Sequence, residues 1–142
     1  MSERQRIFDQ LYRSDPDPWG YETSQYERDK YRVTLAALPS ERYLSTVEIG
    51  CSIAVLGEQL ALRSGRYLGV DVSRVALETA AKRLAYLPGA QVVAGEVPAD
   101  WPDGRYDLIV LSEILYFLSA PEIVGLAERV ARDLEPDGDC VL

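Results

Sequence analysis

Apolar positions first recur at helical spacing. Ile7, Phe8, Leu11 and Tyr12 fall on one face of a short helix predicted over residues 3–13. Pro, Gly and Asp then interrupt the pattern across SDPDPWGYET, residues 14–23, which reads as a loop. Ser24-Gln25-Tyr26-Glu27 has the form of a capping box, so a second helix starts there and runs to about Leu38, stopped by Pro39. Beyond this point short apolar runs alternate with helical stretches. Thr46–Ile49 reads as a strand, and 52–63 as a helix with Gly65 just past its end. Tyr67–Val72 is a second strand, and Ser73 caps a helix over 74–85 that ends before Pro88-Gly89. Gln91–Ala94 and Tyr106–Leu111 are further strands, DLIVL being the clearest in the chain. Ser119-Ala120-Pro121-Glu122 is a second capping box whose helix extends to about Leu134. Pro136-Asp137-Gly138 predicts a turn, and Asp139–Leu142 begins a fifth strand.

Five strands alternating with helices imply an α/β, doubly wound parallel sheet with right-handed crossovers. Residues 1–40 read as an N-terminal helical cap segment, and 41–142 as the sheet domain, expected to be truncated within strand five. A chain of 142 residues, 47% hydrophobic, suits one globular unit. A net charge of -8 weighs against nucleic acid or an anionic membrane surface as partner. No run is long enough to span a bilayer, and MSERQRIFDQLYR lacks the apolar core of a signal peptide, so a cytoplasmic setting is expected. Cys51 and Cys140 have no metal-type spacing, and Cys51 reads as a small turn residue. The sequence holds no histidine. Ser-His-Asp and Cys-His catalysis and the usual zinc sites are therefore excluded, and no metal is expected. Acid–base work falls to carboxylates, Tyr, Lys or water.

In open α/β sheets, ligands bind beyond the carboxyl ends of the strands, where the winding reverses. Gly50 follows strand one, Asp71 ends strand two, Glu96 follows strand three, and Ser112-Glu113 end strand four. VEIGCSIAVLGEQLA, Val47–Ala61, resembles the first nucleotide-binding turn of a Rossmann-like domain. Ser52 and Val55, however, stand where the second and third glycines of the dinucleotide fingerprint fall. NAD needs close backbone approach for its pyrophosphate. S-adenosylmethionine (SAM) carries no phosphate and does not. Asp71 lies 21 residues after Gly50, close to the separation of about 20 between a glycine turn and a ribose-binding acid. Val72 follows it in the same cofactor set. Glu48 suits the cationic amino group of SAM, or else is a buried carboxylate paired with backbone amides. Glu96 faces the exocyclic amine of adenine, or is a solvated loop residue, with Val97 offering a backbone N–H and apolar surface to the ring.

Together, EIGCS, GVDVS, GEVP, YDLIVLSEILYFL and LEPDGDCVL resemble class I SAM-dependent methyltransferases. DPWGYETSQYERDKY, with EIGCS and SEILYFL, resembles more narrowly the nodulation protein S (NodS-like) family, over about residues 8–142. That resemblance implies N-methylation of the amino end of a deacetylated chitin oligosaccharide, with SAM as cosubstrate. It implies that Glu48, Gly50, Cys51 and Ser52 form the first SAM motif, that Asp71 binds ribose and that Glu96 faces adenine. It also implies that Trp19 and Lys30 close over the cofactor, with Lys30 at the methionine carboxylate. Outside the resemblance, Trp19 is a loop anchor and Lys30 an exposed helix lysine. The chain departs from the family pattern in two ways. Ala54 stands where class I enzymes commonly have glycine, and the two strands that follow strand five are missing.

Methyl transfer is an in-line displacement that requires positioning more than acid–base power. Glu113, at the end of strand four beside Ser112, is placed to orient an amine and take its proton, unless it merely starts the next helix. Tyr116 is placed to fix the acceptor by ring or hydroxyl, whereas Phe117 and Leu118 read as core and Trp101 as loop packing. The expected function is SAM-dependent methylation of a small amine or amino sugar. An O-methyltransferase is the nearest alternative, and a SAM-binding module without activity the next.

Overall fold

The computed structural model describes residues 1–142. Two helices come first, α1 (Glu3–Ser14) and α2 (Gln25–Ala37). The alternating part follows as β1 (Tyr43–Ile49), α3 (Val55–Leu62), β2 (Ser64–Asp71), α4 (Arg74–Leu84), β3 (Ala90–Ala94) and β4 (Tyr106–Leu111). A single 3₁₀ turn (Leu115–Phe117) leads to α5 (Ala120–Asp133) and β5 (Leu134–Val141). The strands form one parallel sheet in the order β3-β2-β1-β4-β5. The winding reverses between β1 and β4, which places a ligand crevice at their carboxyl ends. No helix is long and apolar enough to cross a membrane.

Helices cover both faces of this sheet, so its central strands bury side chains on both sides. Val47, Ile49, Val70, Ile109 and Leu111 pack on one face with Trp101 and Leu126. Tyr67, Leu108 and Val110 pack on the other with Leu56, Leu60 and Leu84. The predicted N-caps hold: Ser24 accepts from Glu27 N, Ser73 from Ala76 N, and Ser119 with Glu122 forms a full capping box. At Ser24 the box is only half made. The Glu27 carboxylate turns to Lys30 instead of reaching back to the cap.

Several boundaries differ from the sequence reading, each for a tertiary reason. β1 starts at Tyr43 rather than Thr46, because Tyr43 and Ser45 pair with Ser64 and Arg66 of β2, while Leu44 N and Ser45 N are satisfied by the Asp107 carboxylate on β4 at 2.8 Å each. Gly65 comes just after α3, as expected, but serves the next strand and not the helix cap, which is Arg63. It lies inside β2, where a Cβ would meet Leu44 O at 3.0 Å, so the pairing with β1 exploits its missing side chain. Pro136-Asp137-Gly138 makes no separate turn. It is absorbed as an irregularity in β5, with Tyr106 paired to Leu134 but Leu108 to Asp139. The buried face of α1 is only partly the apolar one expected. Tyr12 is buried with Phe8 packed against its cluster, but Ile7 is 56% exposed, Leu11 is exposed as well, and Asp9 takes their place.

Candidate active site

The turn after β1 is built from left-handed residues at alternate positions. Gly50 has φ +84°, Ser52 φ +52° and Ala54 φ +63°. The three conformations that favour glycine thus fall at 50, 52 and 54, and the third is Ala54, not Val55. This is also why α3 starts at Val55 and not at 52: residues in this conformation cannot begin a right-handed helix. Gly50 N and Cys51 N donate to Val70 O at 2.7 and 3.1 Å, drawing the turn across the end of β2. A Cβ at Gly50 would meet Ser112 O at 2.7 Å, so this position requires glycine on both counts. Ser52 and Ala54 carry side chains in strained backbone, each at a cost of roughly 1–2 kcal/mol. Burial pushes the Cys51 thiol well above its usual range, which suits an inert turn residue.

Asp71 ends β2 and closes a buried ring of hydrogen bonds. Its Oδ2 accepts from Ser52 N at 2.8 Å and its Oδ1 from Ser73 N at 2.9 Å. Ser73 Oγ donates to Asp9 Oδ1 on α1 at 2.7 Å. The Tyr12 hydroxyl, one turn along α1, shares a 2.5 Å hydrogen bond with Ser52 Oγ. The hydroxyl at Ser52 therefore has a structural partner that glycine would lack. Burial raises the Asp71 carboxyl above its usual range, opposed by the backbone donors of Ser73 and Ser52.

Glu48 points into the interior from β1 and is 1% exposed. Its partners are not the backbone amides the sequence suggested but two hydroxyls from neighbouring strands. Tyr67 Oη donates to Oε1 and Ser112 Oγ to Oε2, each at 2.6 Å. Burial pushes its pKa up to about 7 against the pull of those two donors. Glu113, just past β4, has φ +54° and does not start a helix. It is ion-paired to Lys30 on α2, whose Nζ also lies 2.9 Å from Glu27. Lys30 is therefore not the free surface lysine of the plain reading.

Two adjoining cavities open along the carboxyl ends of the strands. The larger, about 360 Å³, is walled by Asp71, Val72, Glu96, Val97 and Trp19 among others. The smaller, about 150 Å³, is lined by Lys30, Glu48, Cys51 and Tyr31. Gly50, Ser52, Ser112 and Glu113 border both. Every site residue named from the sequence borders one cavity or the other. Glu96 is partly engaged: it accepts from Ser2 Oγ at 2.7 Å and lies 3.9 Å from Arg4. Tyr116 stands at the rim, 83% exposed. Phe117 is not core as expected. It is half exposed on the cavity wall and packs edge-on against Phe8. Trp101 is buried with its indole N–H donating to Asp133 at 2.8 Å, a packing role as expected.

The sequence reading missed Phe8, Asp9, Tyr12 and Tyr21. Trp19 packs against Phe8, Tyr12 and Tyr21 at centroid distances of 6.4, 5.8 and 5.9 Å, forming an aromatic wall from the N-terminal segment. The only available signal was an acid within the apolar α1 pattern and an unusual density of aromatics before residue 32.

The Nodulation protein S (NodS) family model matches residues 4–142 of this sequence. The chain belongs to that family. Nodulation protein S of Bradyrhizobium diazoefficiens is 30% identical over 123 residues, which cover 85% of this chain and 59% of that relative. The chain spans little more than half the length of the curated relatives it matches. A Pseudomonas syringae protein whose crystal structure is described as that of a methyltransferase is 42% identical, with a TM-score of 0.75 over 82% of this chain and 74% of its own. The N-methyltransferase NodS of Bradyrhizobium japonicum, solved with S-adenosylhomocysteine, superposes with a TM-score of 0.87 over 98% of this chain and 71% of its own. At 23% identity that match shows a shared fold. Sheet order, family and fold agree on the class I SAM-dependent methyltransferase architecture.

Proposed function

We propose that this chain binds SAM across the ends of β1, β2 and β4 and, with it, N-methylates a small amine or amino sugar. The observation that carries the reading is Asp71, a buried carboxylate ending β2 on the cavity wall beside the left-handed turn. The residues present fit the ligand. The larger cavity lies in the size range of small-molecule sites. Val72 and Val97 offer apolar surface to a purine, Glu96 an acceptor for its amino group, and Asp71 acceptors for two ribose hydroxyls. The smaller cavity offers Lys30 to a carboxylate and Glu48 to an ammonium, as a zwitterionic tail requires. Gly50, Ser52 and Ser112 border both cavities, and Cys51 lines the smaller one.

SAM supplies an activated methyl group on a sulfonium. The chain's own groups do the rest. Glu113 holds the acceptor amine and takes its proton. Tyr116 meets the acceptor at the rim, and Trp19 in the 1–40 cap segment limits water access. Holding the reactants in line is worth roughly 7–11 kcal/mol of barrier in favourable cases. Nitrogen is favoured over oxygen because Glu113, a carboxylate suited to an ammonium, borders both cavities. The description of the Bradyrhizobium japonicum relative as an N-methyltransferase supports the same choice.

Calorimetric titration with S-adenosylhomocysteine tests the reading. Wild type binds, and Asp71→Ala loses more than about a hundredfold in affinity, the worth of two hydrogen bonds to a charged group. A folded wild-type chain that takes up no S-adenosylhomocysteine overturns it.

A further inference from the structure

The roles proposed for Lys30 and Glu113 collide in one contact. Lys30 is the partner for the cofactor's carboxylate, and Glu113 the carboxylate for the acceptor amine, yet the two are paired with each other. They cannot both stay paired and act. Glu113 borders both cavities, whereas Lys30 borders only the smaller, so the ion pair sits where cofactor tail and acceptor would meet. Glu27, three residues before Lys30 on α2, holds the same ammonium at 2.9 Å.

We infer that Lys30 is an interlock that makes the acceptor site conditional on the cofactor. Without cofactor, the Lys30 ammonium covers Glu113, and a cationic amine arriving there meets a like charge. The carboxylate of the bound cofactor draws Lys30 into the smaller cavity and leaves Glu113 open to that amine. The acceptor is accordingly a cationic amine that binds second. This inference rests on the reading of the site as a SAM pocket.

The electrostatics permit the exchange. The Lys30 and Glu113 side chains are 29% and 52% exposed, and pairs this open to water hold weakly. Lys30 trades one carboxylate for another and keeps Glu27 throughout, so its charge is never left unpaired. The site loses one positive neighbour at Glu113 just when an ammonium is to be received.

The test compares S-adenosylhomocysteine, which has the carboxylate, with adenosine, which lacks it, by calorimetry. Glu113→Gln removes the competitor for Lys30 and should tighten S-adenosylhomocysteine binding about two- to fivefold, the worth of one solvent-screened pair. Lys30→Gln should weaken it, and the double variant should match Lys30→Gln alone. Adenosine affinity should be unchanged in all three. A pair that only braces the fold would instead weaken binding in both single variants. Weaker or unchanged S-adenosylhomocysteine binding in Glu113→Gln overturns the interlock while leaving the cofactor site standing, as does a parallel shift for adenosine. Absence of any binding by wild type overturns the cofactor reading and the interlock with it.

Discussion

Glu48 illustrates what a single residue contributes. A charged residue in the apolar strand VEI is visible in the sequence as an exception, but its partners are not. Tyr67 and Ser112 lie 19 and 64 residues away and arrive only because β2 and β4 flank β1. Two hydroxyl donors without a cation leave burial dominant, so the folded pKa of about 7 exceeds the ordinary value of 4.5. Between those values the folded chain binds more protons than the unfolded one. Stability is therefore greatest below the lower value and falls as pH rises through the upper. The loss amounts to about 3 kcal/mol between pH 4.5 and 7. Urea titrations across this range should show the decline in wild type and a flatter profile in Glu48→Gln. The glycine-poor turn was likewise only half readable. Gly50 was recognisable, but the alternate left-handed positions emerge from φ values, and these place the third at Ala54.

At the scale of elements, most helices and strands followed from local signals. DLIVL appears as β4 with the expected bounds, and the Ser73 and Ser119 caps begin α4 and α5 where predicted. What α1 does could not be read in this way. Its pattern pointed to Ile7, Phe8, Leu11 and Tyr12; tertiary packing kept Phe8 and Tyr12 inward, left Ile7 and Leu11 exposed, and turned Asp9 inward with Tyr12. That face satisfies polar groups at the start of α4 and in the β1–α3 turn: Asp9 accepts from Ser73 Oγ and Val75 N, and Tyr12 meets Ser52. A buried carboxylate so engaged is favourable only while its donors remain in place. Asp9→Ala should lower stability by about 1–3 kcal/mol, because Ser73 Oγ loses its acceptor in a buried site. It should also speed amide exchange in α1 while leaving the central strands β1 and β4 protected. Uniform loss of protection across the sheet would mean that α1 is part of the cooperative core and not a cap docked upon it.

For the whole molecule, the sheet order brings residues from four separate strand ends and two N-terminal helices to one crevice. A ligand spanning these elements must stabilise them together. S-adenosylhomocysteine at a hundred times its dissociation constant should add about 2.7 kcal/mol to the stability of wild type, read as a rise in Tm of several degrees. Asp71→Ala should show little of that rise, and an equal rise in both would place the ligand elsewhere. The amino-acid sequence by itself determined the alternation of strands and helices, the positions of most caps, and the polar residues at strand ends. Each of these depends on interactions within a few residues of chain. Only the tertiary structure decided which groups those residues face. Glu48 turned to hydroxyls, Lys30 to Glu113, and α1 to the ring through Asp71, because each pairing depends on how strands far apart in sequence lie side by side.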